Sequence, residues 1–156
     1  MDKSLIPLIL LFHDVLSTAL LVVISWQAFA AWAPQIATGV FTPAAQVLAF
    51  RSRDVTIALF VLVIGLGAPL YPSYRFVVRP YLEIHDMRAA NGAFEIKEHF
   101  AALALMMLPA YRAAWQNSAA NGAATARRAI TGFLCAMVWW NFAVGHGMNY
   151  IRGLFL

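Results

Sequence analysis

Charged and titratable residues crowd into the heptapeptide FEIKEHF at residues 94–100, just ahead of the apolar run ALALMML. Two glutamates, a lysine and a histidine there could bind a metal or cofactor, pass protons, or simply form a solvated helix end. Glu95 and His99 lie four residues apart and therefore share one helical face. Because unpaired ionisable groups are costly in hydrocarbon, this cluster is a candidate functional site if the segment enters a membrane.

Composition predicts that the segment does enter a membrane. The chain has 156 residues, of which 62% are hydrophobic and only 12% charged, and its mean hydropathy is +0.71. A soluble domain carries about 25% charged residues. The formal net charge is +4, but the Lys and Arg residues stand in small groups at the ends of apolar segments, as interfacial anchors do. These features exclude nucleic acid as a partner and predict one transmembrane domain over residues 1–156.

Four segments are long and apolar enough to cross a bilayer as helices, at about 20 residues per span. They cover approximately residues 5–32, 55–70, 94–115 and 129–151. The predicted fold is therefore an all-α bundle of four transmembrane helices. The apolar N-terminal segment contains His13 and Asp14 and lacks a clear cleavage site, so we interpret it as a retained helix rather than a signal peptide.

Helix signals in the sequence predict where these spans begin and end. Asp54 is a candidate N-cap of the second span, with Pro69 and Pro72 closing it. Between the first two spans, GVFTPAAQVLAFRSR predicts a short interfacial helix with Thr42 as its cap and Pro43 in its first turn. The segment YPSYRFVVRPYLEIHDMRAANGA is predicted as the second connection.

Four spans place the N-terminus, the second connection and the C-terminus on one membrane face, here called side A, and the other two connections on side B. Side A then holds six of the eleven basic residues, a narrow excess that favours it as the cytoplasmic face of a bacterial inner membrane. It also holds all four histidines and six of the seven acids, since Asp54 is the acid on side B.

Three of these histidines reach similar depths from different helices. From the 1.5 Å rise per residue, His13 lies roughly 13 Å and His146 roughly 9 Å below side A, and His99 is about one turn into its helix. Gly145 and Gly147 flank His146, which permits close approach of a flat cofactor or of another helix. His85 lies in a connection and is predicted to be a surface residue.

A b-type haem is the first interpretation of this convergence. It needs neutral imidazoles from different helices, small and aromatic neighbours, and cations near its propionates. The candidate ligands are His13 with His99 or His146, and the candidate propionate partners are Arg75, Arg79 and Lys97. Such a protein would act in electron transfer or a membrane redox reaction.

Two alternatives remain open at this point. A non-haem metal ion could be bound by carboxylates and imidazoles in the bundle; its candidate ligands are His13, His99, His146, Glu95, Glu98 and Asp14. Alternatively, the chain is an accessory subunit of a larger respiratory or photosynthetic membrane complex, or a homo-oligomer, and FEIKEHF is a solvated helix end with its acids favoured by the helix dipole. The lone Cys135 is interpreted as a packing residue, and the sequence identifies no catalytic residue.

The first helix, LLFHDVLSTALLVVISWQAFAAWAP, resembles that of small four-helix membrane proteins of the HemJ protoporphyrinogen-oxidase and CopD copper-resistance types. The resemblance rests on His13 followed by Trp26, on Arg51 and Arg53 before the second helix, and on chain length and span count. It implies a bound b-type haem and functional roles for His13 and Lys97. The order Lys97-Glu98-His99 departs from the family's third helix, where the histidine precedes the lysine.

Overall fold

The computed structural model describes residues 5–32, 43–116 and 122–155, and in that part of the chain all secondary structure is helical. This confirms the predicted all-α class. The helices, in chain order, are α1 (Ile6–Trp32), α2 (Pro43–Gly67), the short α3 (Arg79–Ile84), α4 (Arg88–Gln116) and α5 (Ala123–Phe155). Helix α1 matches the first predicted span.

Helix α2 corrects the prediction of a separate interfacial helix between the first two spans. Within the described residues, the chain is one continuous helix from Pro43 to Gly67. Pro43 does occupy the first helical position, where its missing N–H costs nothing. No Gly or Pro interrupts residues 44–64, so nothing ends a short helix there. Asp54 is therefore not an N-cap; it lies within α2 and pairs with Arg53 at 2.5 Å. The predicted cap, Thr42, lies outside the described residues.

The predicted second connection is also mostly helical. Pro69 and Pro72 do not close the helix; the chain continues through a 3₁₀ turn (Ala68–Leu70), one α-turn (Tyr71–Ser73) and a π-helical turn (Tyr74–Val78) into α3. Each proline falls in the first turn of a new segment, where a backbone N–H is not needed. The true connection is the tight turn after Ile84, where Asp86 adopts a left-handed φ of 54°.

The last two helices begin earlier than predicted. Helix α4 starts at Arg88, six residues before the predicted start at Phe94, so FEIKEHF lies in its second to fourth turns. Pro109 lies inside α4 without ending it. Helix α5 starts at Ala123, directly after Gly122, whose φ of 80° is the left-handed conformation that glycine adopts in turns.

The long helices pack as an antiparallel bundle in which α1 contacts α2 and α5, and α4 contacts α5 and α2. The main core lies mostly in the half of the bundle nearer side B and includes Ile24, Phe60, Leu108, Tyr111 and Leu134. A second, smaller cluster at side A comprises Tyr74, Leu82, Phe94 and Met148.

Three described helical segments are long and apolar enough to cross a membrane: Ile6–Trp32, Val47–Ile84 and Ala123–Tyr150. Their outer faces are apolar, with Phe29, Phe76 and Phe133 more than half exposed, as expected for side chains that meet lipid. Helix α4 is not among the three; it carries Arg88, Glu95, Lys97, Glu98 and Arg112.

Candidate functional site

A cavity of about 510 Å³ opens between α1, α2 and its helical continuation, α4 and α5, in the side A half of the bundle. Most of its wall is apolar, including the aromatic rings of Phe60, Phe94 and Phe142. The polar side chains that converge on it come from all four walls: His13, Asp14, Ser17, Ser73, Tyr71, Tyr74, Lys97, Glu98, Asn141 and Asn149. An apolar cavity with a few convergent polar groups is the usual form of a ligand or cofactor site.

His13 is held by a hydrogen bond that crosses from α1 to α2. Its Nδ1 lies 3.0 Å from the carbonyl oxygen of Val63. Because a carbonyl can only accept, Nδ1 must carry the proton, and the neutral ring therefore has its lone pair on Nε2. Nε2 has no hydrogen-bond partner among the described residues. This is the arrangement typical of metal-ligating histidines, whose other ring nitrogen donates to a carbonyl or carboxylate.

Gly67 gives the His13 ring its place against α2. A Cβ at this position would lie 3.2 Å from His13 Cε1, closer than ordinary van der Waals contact. Gly65 lies two residues earlier in the same helix, and a Cβ built there would have no atom within 4 Å. The glycine at 67 is therefore needed for the ring position, whereas the glycine at 65 is not.

Asp14 follows His13 and links α1 to α5. Its Oδ2 accepts a long hydrogen bond of 3.5 Å from Asn149 Nδ2. Asn149, Gly145 and Asn141 recur every four residues along α5, so all three face the same cavity. Asn141 Oδ1 is buried and has no hydrogen-bond partner in the described part of the chain.

Lys97 and Glu98 are the two charged residues of FEIKEHF that line the cavity, beside Phe94. Lys97 Nζ lies 3.5 Å from Glu98 Oε1 and 4.8 Å from the centre of the Phe94 ring. The lysine side chain is only 19% exposed, and its Cε passes 3.7 Å from the position of a Cβ at Gly145. Both charges are close enough to His13 to interact with it electrostatically.

The other half of FEIKEHF faces away from the cavity. His99 is exposed, and its Nδ1 donates to the Glu95 carbonyl oxygen, 2.7 Å away in the same helix. The Glu95 side chain forms an ion pair of 3.3 Å with Arg79, which also binds Glu83 at 2.7 Å. Arg75 and Arg79 do not line the cavity. This face matches the solvated helix end that the sequence left open.

His146 and His85 are exposed as well. The Nδ1 of His146 donates to the Phe142 carbonyl oxygen at 3.1 Å, and that of His85 donates to the Tyr81 carbonyl oxygen at 2.9 Å. Neither residue lines the cavity. The structure thus brings His13, Asp14, Lys97 and Glu98 together, and leaves His99 and His146 outside.

Within the described residues, no group of three or more His, Cys, Asp or Glu side chains is arranged to hold a metal ion. A haem makes a different demand, since one imidazole with a free Nε2 suffices on the protein side. His13, the aromatic and glycine-lined walls, and the Lys97 ammonium group provide these features.

Sequence reasoning missed Tyr74 and Asn141 as cavity residues. The four-residue recurrence of Asn141, Gly145 and Asn149 is the signal that could have identified Asn141. Tyr74 was assigned to a connection, although its ring stacks on Phe94 at 3.4 Å and its hydroxyl donates to Asn91 Oδ1 at 2.8 Å.

Comparison of the chain with protein-family models, with curated proteins and with solved structures finds no match. The resemblance to HemJ-type and CopD-type proteins therefore stays a prediction.

Proposed function

We propose that this protein is a four-span membrane protein that binds one b-type haem in the side A cavity, with His13 as the axial ligand, and acts in electron transfer or a membrane redox reaction. The observation that carries this proposal is the hydrogen bond from His13 Nδ1 to the Val63 carbonyl. It fixes the tautomer in which Nε2 is the ligating atom, and it anchors the imidazole between two helices.

The cavity supports the proposal by its size and its lining. Cofactor and ligand sites measure roughly 300–1,000 Å³, and this cavity has about 510 Å³. Phe60, Phe94 and Phe142 provide aromatic walls, and Gly67 and Gly145 leave space between helices. Lys97 provides a cation at the wall for a propionate. The sequence alone predicts His99 and His146 as further ligands, but neither residue lines this cavity. The proposal therefore rests on His13.

Each polar residue then has a defined task. When bound, the haem supplies one-electron exchange. His13 holds the lone pair at Nε2, and Val63 keeps the proton on Nδ1. The carboxylates of Asp14 and Glu98 favour positive charge in the cavity, which is one of the levers that lower a reduction potential. The apolar wall limits the access of water to the side A cavity.

The proposed fourth span is supported by packing rather than by hydropathy. Helix α4 runs alongside α5, with Lys97 beside Gly145, Phe100 on Trp140 and Trp115 Nε1 donating to Thr131 Oγ1 at 2.9 Å. These contacts recur along α4, which supports the proposal that it crosses the membrane beside α5. The charged residues of α4 line the cavity (Lys97 and Glu98), lie at side A (Arg88 and Glu95) or lie at side B (Arg112).

The test is haem binding by the detergent-purified protein. We expect a Soret band from haem-replete cells, and an equal band after haemin is added to protein purified without it. His13→Ala should abolish the band. His99→Ala and His146→Ala are matched controls, since each removes an exposed imidazole with a hydrogen bond inside its own helix, and both should keep the band.

A colourless wild-type preparation that also fails to take up haemin contradicts the proposal. Metal analysis of that sample would then separate a non-haem metal protein from an accessory subunit. Equal loss of the band in all three histidine variants would show that His13 is not specifically the ligand.

A further inference from the structure

The basic residues at side B lack the acids that accompany those at side A. The arginine pole, as we call this group, comprises Arg51, Arg53, Arg112, Arg127 and Arg128. With Asp54 as the acid of that side, it accounts for the entire net charge of +4. The six basic residues assigned to side A are balanced by six acids. One end of the protein is therefore cationic and the other is close to neutral.

Contacts gather the arginine pole at one end of the bundle. The Arg127 guanidinium lies over the rings of Phe50 and Trp115, 5.5 Å from each ring centre. Arg128 Nε donates to the Ala31 carbonyl oxygen at 3.0 Å. The Trp32 indole in turn donates to the Arg128 carbonyl oxygen at 3.2 Å. The ends of α1, α2, α4 and α5 thus meet around these charges.

Ion pairing separates the two ends further. At side A, Arg79, Arg88 and Lys97 each lie within 4.0 Å of a carboxylate. At side B, Arg53 binds Asp54. Arg51, Arg112 and Arg128 are exposed, and none of them has a carboxylate within ion-pair distance among the described residues. Three guanidinium groups are therefore available to an external anion.

The location of the arginine pole indicates which anion. It lies at the ends of membrane-spanning helices, beside Trp32, which is 61% exposed and of a type enriched at the level of lipid head groups. Guanidinium groups bind phosphate oxygens through paired, charge-assisted hydrogen bonds. We propose that the arginine pole binds the phosphate groups of anionic phospholipids, through Arg51, Arg112 and Arg128.

The experiment compares lipids by their effect on the thermal stability of the purified protein in a neutral detergent. Phosphatidylglycerol should raise the melting temperature, and phosphatidylcholine, which carries no net charge, should not. Inorganic phosphate at the same concentration should also have no effect, which separates a lipid head group from a free anion. The triple variant R51Q/R112Q/R128Q should bind phosphatidylglycerol on the order of a hundredfold more weakly, at about 1 kcal/mol per arginine.

The matched control is R75Q, which removes an exposed arginine from side A and should keep the full response. Single variants R51Q, R112Q and R128Q should each lose part of it, so the test survives if the triple variant does not fold. An undiminished phosphatidylglycerol response in the variants, or an equal response to phosphatidylcholine or to phosphate, would overturn the assignment. Haem content plays no part in this readout.

Discussion

Gly67 sets how closely the His13 imidazole approaches α2. Adding one methyl group at this position therefore tests whether the position of the ring matters for haem binding. Gly67→Ala places a Cβ 3.2 Å from His13 Cε1, so the ring must shift by a few tenths of an ångström, and we expect its hydrogen bond to Val63 to weaken. Overpacking of this kind costs typically 1–3 kcal/mol, and we expect haem affinity to fall roughly tenfold. Haemin titration, followed by the position and height of the Soret band, measures the change.

Gly65→Ala is the control because it lies in the same helix and its Cβ meets nothing within 4 Å. Both substitutions replace a flexible glycine by alanine, and this replacement by itself stabilises a helix by about 0.5–1 kcal/mol. Gly65→Ala should therefore raise the melting temperature and leave the Soret band unchanged. Identical spectra and affinities for the two variants would show that Gly67 does not position His13.

At this same residue scale, the sequence could identify His13 and Lys97 but not the partners that surround them. Every face of α1 is apolar, and in a membrane protein the lipid-facing and core-facing sides look alike. Sequence alone thus gives the depth of His13, His99 and His146 but not their rotation about the helix axes. That rotation turns His13 into the cavity and keeps the other two outside it.

Three helices are joined by one buried polar network centred on Gln27. Its Oε1 accepts hydrogen bonds from the hydroxyls of Thr56 (2.7 Å) and Tyr111, and its Nε2 donates to the Ala49 carbonyl oxygen at 3.2 Å. All three side chains are fully buried. Gln27→Leu removes the acceptor of the buried Tyr111 hydroxyl. We expect the free energy of unfolding to fall by about 1–3 kcal/mol, measured by thermal unfolding in detergent.

Tyr111→Phe should cost less, because Gln27 Oε1 still accepts from Thr56. The double variant should cost less than the sum of the two single variants, since no tyrosine hydroxyl is then left stranded. Strict additivity would mean that Tyr111 and Gln27 are not coupled. Because α1, α2 and α4 each contribute a member, this cycle measures how firmly the elements are joined.

The bounds of a helix were predictable where the apolar segment has the length of one span and a proline follows it, as for α1. The errors arise from prolines and from charges. Pro69 and Pro72 look like helix ends in the sequence, yet each lies in the first turn of a new helical segment, where it is tolerated. The charges of FEIKEHF look like the start of a helix, but the helix begins six residues earlier at Arg88, and Lys97 and Glu98 pair with each other at the cavity wall.

On the scale of the whole molecule, one pole contains the cavity and balanced charges, and the other contains the arginine pole. An anionic leaflet attracts clustered arginines, so the lipid inference favours side B as the face towards that leaflet. The sequence alone favoured side A by six basic residues to five. The difference arises because the structure shows which cations are already neutralised by ion pairs and which remain available.

Whether α4 crosses the membrane decides between three and four spans. Its 29 residues extend about 43 Å at 1.5 Å per residue, and it runs along α5 throughout. In a Cys135→Ser background, which contains no other cysteine, Arg88→Cys and Gln116→Cys mark its exposed ends. A membrane-impermeant maleimide should label one of them in right-side-out vesicles and the other in inverted vesicles, with several-fold contrast. Labelling of both from the same side would place α4 on the membrane surface. Lys97 and Glu98 would then not lie within the membrane.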